Sequence, residues 1–182
     1  MIIFNLNIRG LGGGIKEKYL RQIIAKEDAK FVNIQETKVT EFSDSRCFDM
    51  WGDNKVGWVH NEGVNGAGST LSMWDKETFI YSSHVTGRGF IAVVGHHSKS
   101  NCLCVVINVY AACSLSAKAA MWNAFSFIRS SHENEVWCCY GDFNAIRCVE
   151  ERKGVRGYTS QKKEIRDFNE FSDKNLMVDL LL

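Results

Sequence analysis

The sequence predicts one domain of mixed α/β class, and three observations predict it. A chain of 182 residues and 20.6 kDa, 45% of it hydrophobic, has material for one core and little more. Its opening reads strand, helix, strand, the apolar spacing switching from a run to a helical period and back. Its middle breaks into short apolar runs divided by Gly, Asn and Ser turns, the signature of hairpins and so of mainly antiparallel pairing.

Residues 1–7 carry Ile2, Ile3, Phe4 and Leu6 and stop at Arg9-Gly10, a strand entering the loop Gly10-Leu11-Gly12-Gly13-Gly14. Over 15–27, Ile15, Tyr19, Leu20, Ile23 and Ile24 recur at helical spacing, with Lys16, Glu17, Arg21 and Lys26 on the other face. Residues 31–34 form a second strand that ends in Gln35-Glu36-Thr37-Lys38. Short strands follow at 56–59, 71–74, 79–85, 90–94 and 103–110, with turns at Asn65-Gly66 and Gly87-Arg88-Gly89. A second helix follows Ser116 and turns Met121, Trp122, Phe125 and Ile128 inward. Residues 136–140 are a buried strand running into Gly141-Asp142-Phe143-Asn144. A third helix over 161–174 buries Ile165, Phe168 and Phe171, and 176–182 read as a closing apolar strand. No repeat, low-complexity tract or linker interrupts the chain, so one domain over 1–182 is expected.

Charge excludes little. With 22 basic and 21 acidic residues the net charge is +1, so a nucleic-acid or membrane partner must be argued from local features. No apolar run approaches the ~18 residues of a membrane span, and the N-terminus lacks the basic-then-apolar layout of a signal peptide. Proline is absent, where average usage gives about nine, and the 7 cysteines are odd in number. With no Asn-x-Ser/Thr sequon, this points to free thiols in a reducing, intracellular compartment. His96, His97, Cys102 and Cys104 lie close in sequence but lack a paired C-x-x-C grip, and read as a hairpin edge feeding a buried strand.

Three strands end in polar groups of one chemistry: Asn7, Glu36, and Asp142 with Asn144. Carboxylate and amide oxygens suit a hard divalent cation such as Mg²⁺, which takes one or two carboxylates and leaves room for substrate phosphate. Singly, each has a blander reading, an Asx turn for Asp142-Phe143-Asn144 and a solvated strand end for Glu36. A rival reading starts from strand, Gly10-x-Gly12, helix and a later acid, the outline of a dinucleotide site. It fails at the third glycine, where Ile15 stands, and in the antiparallel middle.

Taken together, Asn7-Ile8-Arg9-Gly10-Leu11-Gly12, Ile34-Gln35-Glu36-Thr37-Lys38, Trp74-Asp75-Lys76, Asn108-Val109-Tyr110 and Gly141-Asp142-Phe143-Asn144 form an ordered series. Glu150-Glu151-Arg152 and Leu176-x-x-Asp179-Leu180 continue it. The series resembles the endonuclease/exonuclease/phosphatase superfamily, within it most the endonuclease domain of plant LINE-type (non-LTR) retrotransposons. The resemblance covers essentially the whole chain. It implies a deoxyribonuclease-I-like sandwich of two packed sheets flanked by helices, and phosphodiester or phosphomonoester hydrolysis with Mg²⁺, or Mn²⁺ in its place. It also implies roles: Glu36 as metal ligand with Asn7 beside it, Tyr110 on the scissile phosphate, and Asp142 and Asn144 orienting the attacking water. DNA is the implied partner, held through phosphates, with a nuclear site of action and a reverse transcriptase in cis in full-length relatives. The local candidates for phosphate contact are Arg152, Lys153, Arg156, Lys162 and Lys163, which a solvated helix face would explain as well.

The chain departs from the family pattern near its end. The family completes its site with an Asp in a Ser-x-x-Asp-Arg-type motif and a final Ser-Asp-His, whereas all 5 histidines here precede Asp142. A C-terminally truncated domain with impaired or no turnover is therefore expected. Ala29, Ala112 and Leu181 stand where the family commonly has proline, and Gly68-Ser69 where it has Gly-Gly, which reads as drift in a decaying element copy. A small phosphoesterase that completes its site differently, and a non-catalytic nucleic-acid or nucleotide-binding module, are the alternatives.

Overall fold

The computed structural model describes residues 1–63, 68–133, 135–151 and 158–179. They fall into two compact units, Met1–Ala111 with Asn134–Asp142, and Ala112–Glu133 with Phe143–Leu182.

In the first unit, β1 (Ile3–Asn7), β2 (Phe31–Gln35), β3 (Val56–Asn61) and β4 (Thr70–Asp75) make a sheet of order β1-β2-β4-β3. β1 and β2 are parallel, joined by α1 (Ile15–Lys26), and the other pairs are antiparallel. A second sheet takes β5 (Phe79–Gly87), β6 (Phe90–His97), β7 (Cys102–Tyr110) and β8 (Val136–Asp142) in chain order, antiparallel until the parallel β7–β8 pair. The expected strands up to residue 142 thus form, and the middle is antiparallel as its turns imply.

Alternation along β2 explains the layering. Val32 and Ile34 pack under α1 and α2 (Asp44–Trp51) with Leu20, Ile24, Cys47, Met50, Leu71 and Met73. Phe31, on the other face, meets Trp74, Phe79, Ile91, Val93 and Val106 between the sheets. Its ring stacks on Trp74 at 5.8 Å and meets Phe79 edge-on at 5.1 Å. Truncating such a fully buried ring costs about 3–5 kcal/mol.

Three local expectations are corrected. Ile15 and Tyr19 are 81% and 60% exposed, because at about 100° per residue Leu20 and Ile24 lie on nearly the opposite side of α1 and only that side meets the sheet. α2 was not expected, although its signals are present: Ser43 accepts the Arg46 N–H as N-cap, and Gly52 ends the helix at φ 116°. Over the described part of the closing segment, 176–179, there is no strand. Leu176 takes φ 54°, Met177 N–H returns to the Ser172 carbonyl, and Leu176 and Val178 are both 82% exposed. The segment follows the end of a helix, and Asp179 pairs with Arg147.

The second unit holds α3 (Leu115–Ser131), a short 3₁₀ turn (Val149–Glu151) and α4 (Tyr158–Lys174). Ser114 caps α3 by accepting the Ala117 N–H. Trp122 and Phe125 from α3 meet Phe168 and Phe171 from α4, with Trp122 stacked on Phe171 at 4.6 Å. The expected inward stripe of α3, Met121, Trp122, Phe125 and Ile128, is buried throughout.

Candidate active site

The parallel register sets Asn7 against Gln35, so β1 and β2 deliver Asn7 and Glu36 at the same end of their sheet. Asn7 Nδ2 donates to Glu36 Oε1 at 3.0 Å. The Arg9 N–H donates to Asn7 Oδ1 at 3.3 Å, which fixes which way the amide faces. Glu36 holds φ 54°, and Arg9 and Lys38 also lie in the left-handed region, at 51° and 53°. Such positions cost on the order of 1–3 kcal/mol each and persist only where the surroundings impose them. Here the loop after β1 is stitched to the end of β2: Ile8, Gly10 and Leu11 N–H groups donate to the carbonyls of Gln35, Glu36 and Thr37 at 3.0, 2.6 and 2.7 Å. Lys16 closes the loop from α1, its ammonium donating to the Ile8 and Gly10 carbonyls at 2.8 and 2.7 Å. With the Gly10 and Leu11 amides committed in this way, the glycine loop is not the open phosphate cradle that a dinucleotide site needs.

The second sheet brings Tyr110 and Asp142 to this end. They are register partners at the tips of β7 and β8, and the Ala111 N–H donates to the Asp142 carbonyl at 2.8 Å. Tyr110 hydrogen-bonds to Glu36. Two glycines make the close approach possible. A Cβ on Gly89 would strike the Tyr110 carbonyl, and one on Gly141 the carbonyl of Val109, its partner across the ladder. Asn7, Glu36, Tyr110 and Asp142 therefore converge on one end of the first unit.

A buried amide network ties the two sheets together just beneath. Gln35 Nε2 donates to Asn5 Oδ1 at 2.7 Å and to Asn108 Oδ1 at 2.5 Å, and Asn108 Nδ2 reaches the Leu71 carbonyl at 3.0 Å. Gln35 and Asn108 are fully buried and immediately precede Glu36 and, by two residues, Tyr110. Gln35 Oε1, Thr37 Oγ1 and Thr70 Oγ1 are buried oxygens without a partner among the described residues. The sequence marks Gln35 and Asn108 only as parts of motifs; polar residues inside apolar strands were the available signal.

Glu36 is held below the ordinary carboxylate value of 4.5, chiefly by the Asn7 hydrogen bond, with Tyr110, Lys38 and Arg9 adding to it against partial burial. It is an oriented, ionised carboxylate at neutral pH. Among the described residues no three His, Cys, Asp or Glu side chains gather as a chelating cluster. One carboxylate, an adjoining amide and a second acid match what a hard ion takes when water and phosphate fill its other positions. The donor set therefore fits Mg²⁺ or Mn²⁺.

Asn144 belongs to the second unit. Its φ is 47°, and its carbonyl accepts from the Lys118 ammonium, which also pairs with Glu164. Lys118 was missed by sequence reasoning, although a lysine in register with Met121, Trp122 and Phe125 on α3 is a visible anomaly. Lys162 and Lys163 are exposed on α4, whereas Arg152, Lys153 and Arg156 lie outside the described residues, as does the Asn65-Gly66 turn. His97 sits opposite Cys102 at the β6–β7 turn with Nδ1 2.9 Å from Ser100 Oγ, and burial pushes the Cys104 thiol up to about 11. That is the hairpin edge feeding a buried strand.

No protein-family model and no curated protein sequence matches the chain. Solved structures do. The chain superposes on the catalytic domain of APE2 from Xenopus laevis with a TM-score of 0.66 and 17% identity, over 94% of this chain and 67% of that one. AP endonuclease LMAP from Leishmania major gives 0.62 and 15%, over 95% and 65%. An endonuclease/exonuclease/phosphatase family protein from Bacteroides thetaiotaomicron gives 0.60 and 11%, over 94% and 67%. The chain spans 65% of the length of the Leishmania protein and 50% of TDP2 from C. elegans. The fold is the deoxyribonuclease-I-like sandwich of these endonuclease/exonuclease/phosphatase structures, as the motif series implies.

Proposed function

We propose that this chain is a Mg²⁺-dependent phosphodiester hydrolase domain of the DNA-endonuclease type, drawn from a plant LINE-like retrotransposon and acting on nuclear DNA. The convergence of Asn7, Glu36 and Tyr110, with Asp142 in register beside them, is the observation that carries it. Glu36 is the ligand for the ion, and Asn7 keeps its carboxylate turned outward and ionised. When bound, the ion neutralises charge that develops on the phosphoryl oxygens. The Tyr110 hydroxyl steadies a non-bridging phosphate oxygen. Asp142 accepts a hydrogen bond from the attacking water and, with Asn144 two residues on, aligns it for in-line attack. Exposed Lys162 and Lys163 hold neighbouring phosphates as point charges.

The family's terminal Asp and His have no counterpart after Asp142 in these 182 residues. Loss of a general acid–base costs about 10²–10⁴-fold. A reverse transcriptase in cis belongs to the same reading. Plasmid nicking in Mg²⁺ or Mn²⁺ tests it. Slow nicking by the wild type that Glu36→Ala and Asp142→Ala abolish is the expected result. Nicking that both variants retain would remove these residues from the chemistry.

A further inference from the structure

Lys118 stands where an apolar residue belongs. It shares the inward stripe of α3 with Met121, Trp122 and Phe125 and is 3% exposed. Its ammonium meets two groups, the Glu164 carboxylate from α4 and the main-chain carbonyl of Asn144. Burying such a pair gains little net stability, since apolar side chains of similar volume commonly do as well or better. Stability alone is a poor reason for the arrangement.

Its geometry offers a better one. Asn144 takes a left-handed φ of 47°, a conformation asparagine reaches more readily than other side-chain residues, and this turn aims its carbonyl at the Lys118 ammonium. The Phe143 ring lies on Trp122 at 6.0 Å and near Phe168 at 5.6 Å. Two consecutive residues of this turn are thus gripped by α3 and α4, one by its ring and one by its carbonyl. Glu164 holds the ammonium that makes the second grip.

We propose that the Lys118–Glu164 pair is a positioning device for Asn144, fixing the turn that follows Asp142. The inference rests on the function proposed above, because it gives the pair its purpose. Neither side chain is assigned a contact with the reacting atoms; both act through the Asn144 backbone.

Lys118→Met tests this with two readouts. Amide hydrogen exchange, followed by mass spectrometry on a peptide covering 143–148, should quicken there well beyond the rest of α3, over and above the lower thermal midpoint that leaving the buried Glu164 carboxylate unpaired brings. Single-turnover nicking should slow by about 100-fold, the cost of a small misplacement, with KM for DNA unchanged. Lys118→Met should add nothing to Asn144→Ala, and Lys118→Arg should restore part of the rate. Unchanged exchange at 143–148, or exchange rising equally along α3 and α4, would overturn the proposal. Should Lys118→Met not fold, Glu164→Gln, which keeps an acceptor but drops its charge, is read by the same criteria. If the wild type fails to nick at all, the functional reading falls, and the exchange result still decides the positioning claim.

Discussion

Glu36 occupies a backbone conformation that its own side chain disfavours, and loop hydrogen bonds hold it there. Glycine adopts that conformation freely, so Glu36→Gly should melt above Glu36→Ala by the equivalent of ~1 kcal/mol. Equal melting of the two variants would mean that the left-handed backbone carries no cost. The same carboxylate titrates low because Asn7 donates to its ionised form. A depressed folded pKa contributes stability above the ordinary value of 4.5 that is lost as pH falls through the lower folded value. Asn7→Ala should therefore raise the Glu36 pKa toward 4.5, followed by NMR titration of its side chain. The wild type should hold a stability advantage over that variant at neutral pH that shrinks below the ordinary carboxylate range. An advantage independent of pH would assign Asn7 a packing role alone.

At the scale of elements, the tips of β7 and β8 depend on an absent side chain. Gly141, at φ 135°, lies against the Val109 carbonyl, and Gly141→Ala must part the two strands or twist the residue before Asp142. A destabilisation of several kcal/mol is expected in denaturant unfolding, since both sterics and a lost ladder bond contribute. A loss under 1 kcal/mol would show that the ladder yields there easily. In the second unit Trp122→Ala should cost about 3–5 kcal/mol, for its ring touches Phe125, Phe143, Phe168 and Phe171.

For the whole molecule, net charge gives no pull toward DNA, so the proposed binding would depend on a few placed cations. Lys162→Glu with Lys163→Glu should weaken nonspecific binding and flatten the salt dependence, by about 2 in the log–log slope if both meet phosphates. An unchanged slope would remove them from the contact surface. Much of the architecture was legible because strand alternation, helical stripes and turn residues are local signals; β2, with one face under the helices and one between the sheets, follows its pattern residue by residue. Ile15 and Tyr19 misled because a period shows an apolar arc but not how wide the covering surface is. The polar strand ends Asn7, Glu36 and Asp142 could be seen, whereas the Gln35–Asn108 link could not, since it joins strands distant in sequence. Whether these strand ends form one cation site is decided by titrating Mg²⁺ into the 182-residue protein while following side-chain and amide NMR signals. Shifts concentrated at Asn7, Glu36, Tyr110 and Asp142, and absent in Glu36→Gln, are predicted; shifts that bypass these residues or survive that substitution would contradict it.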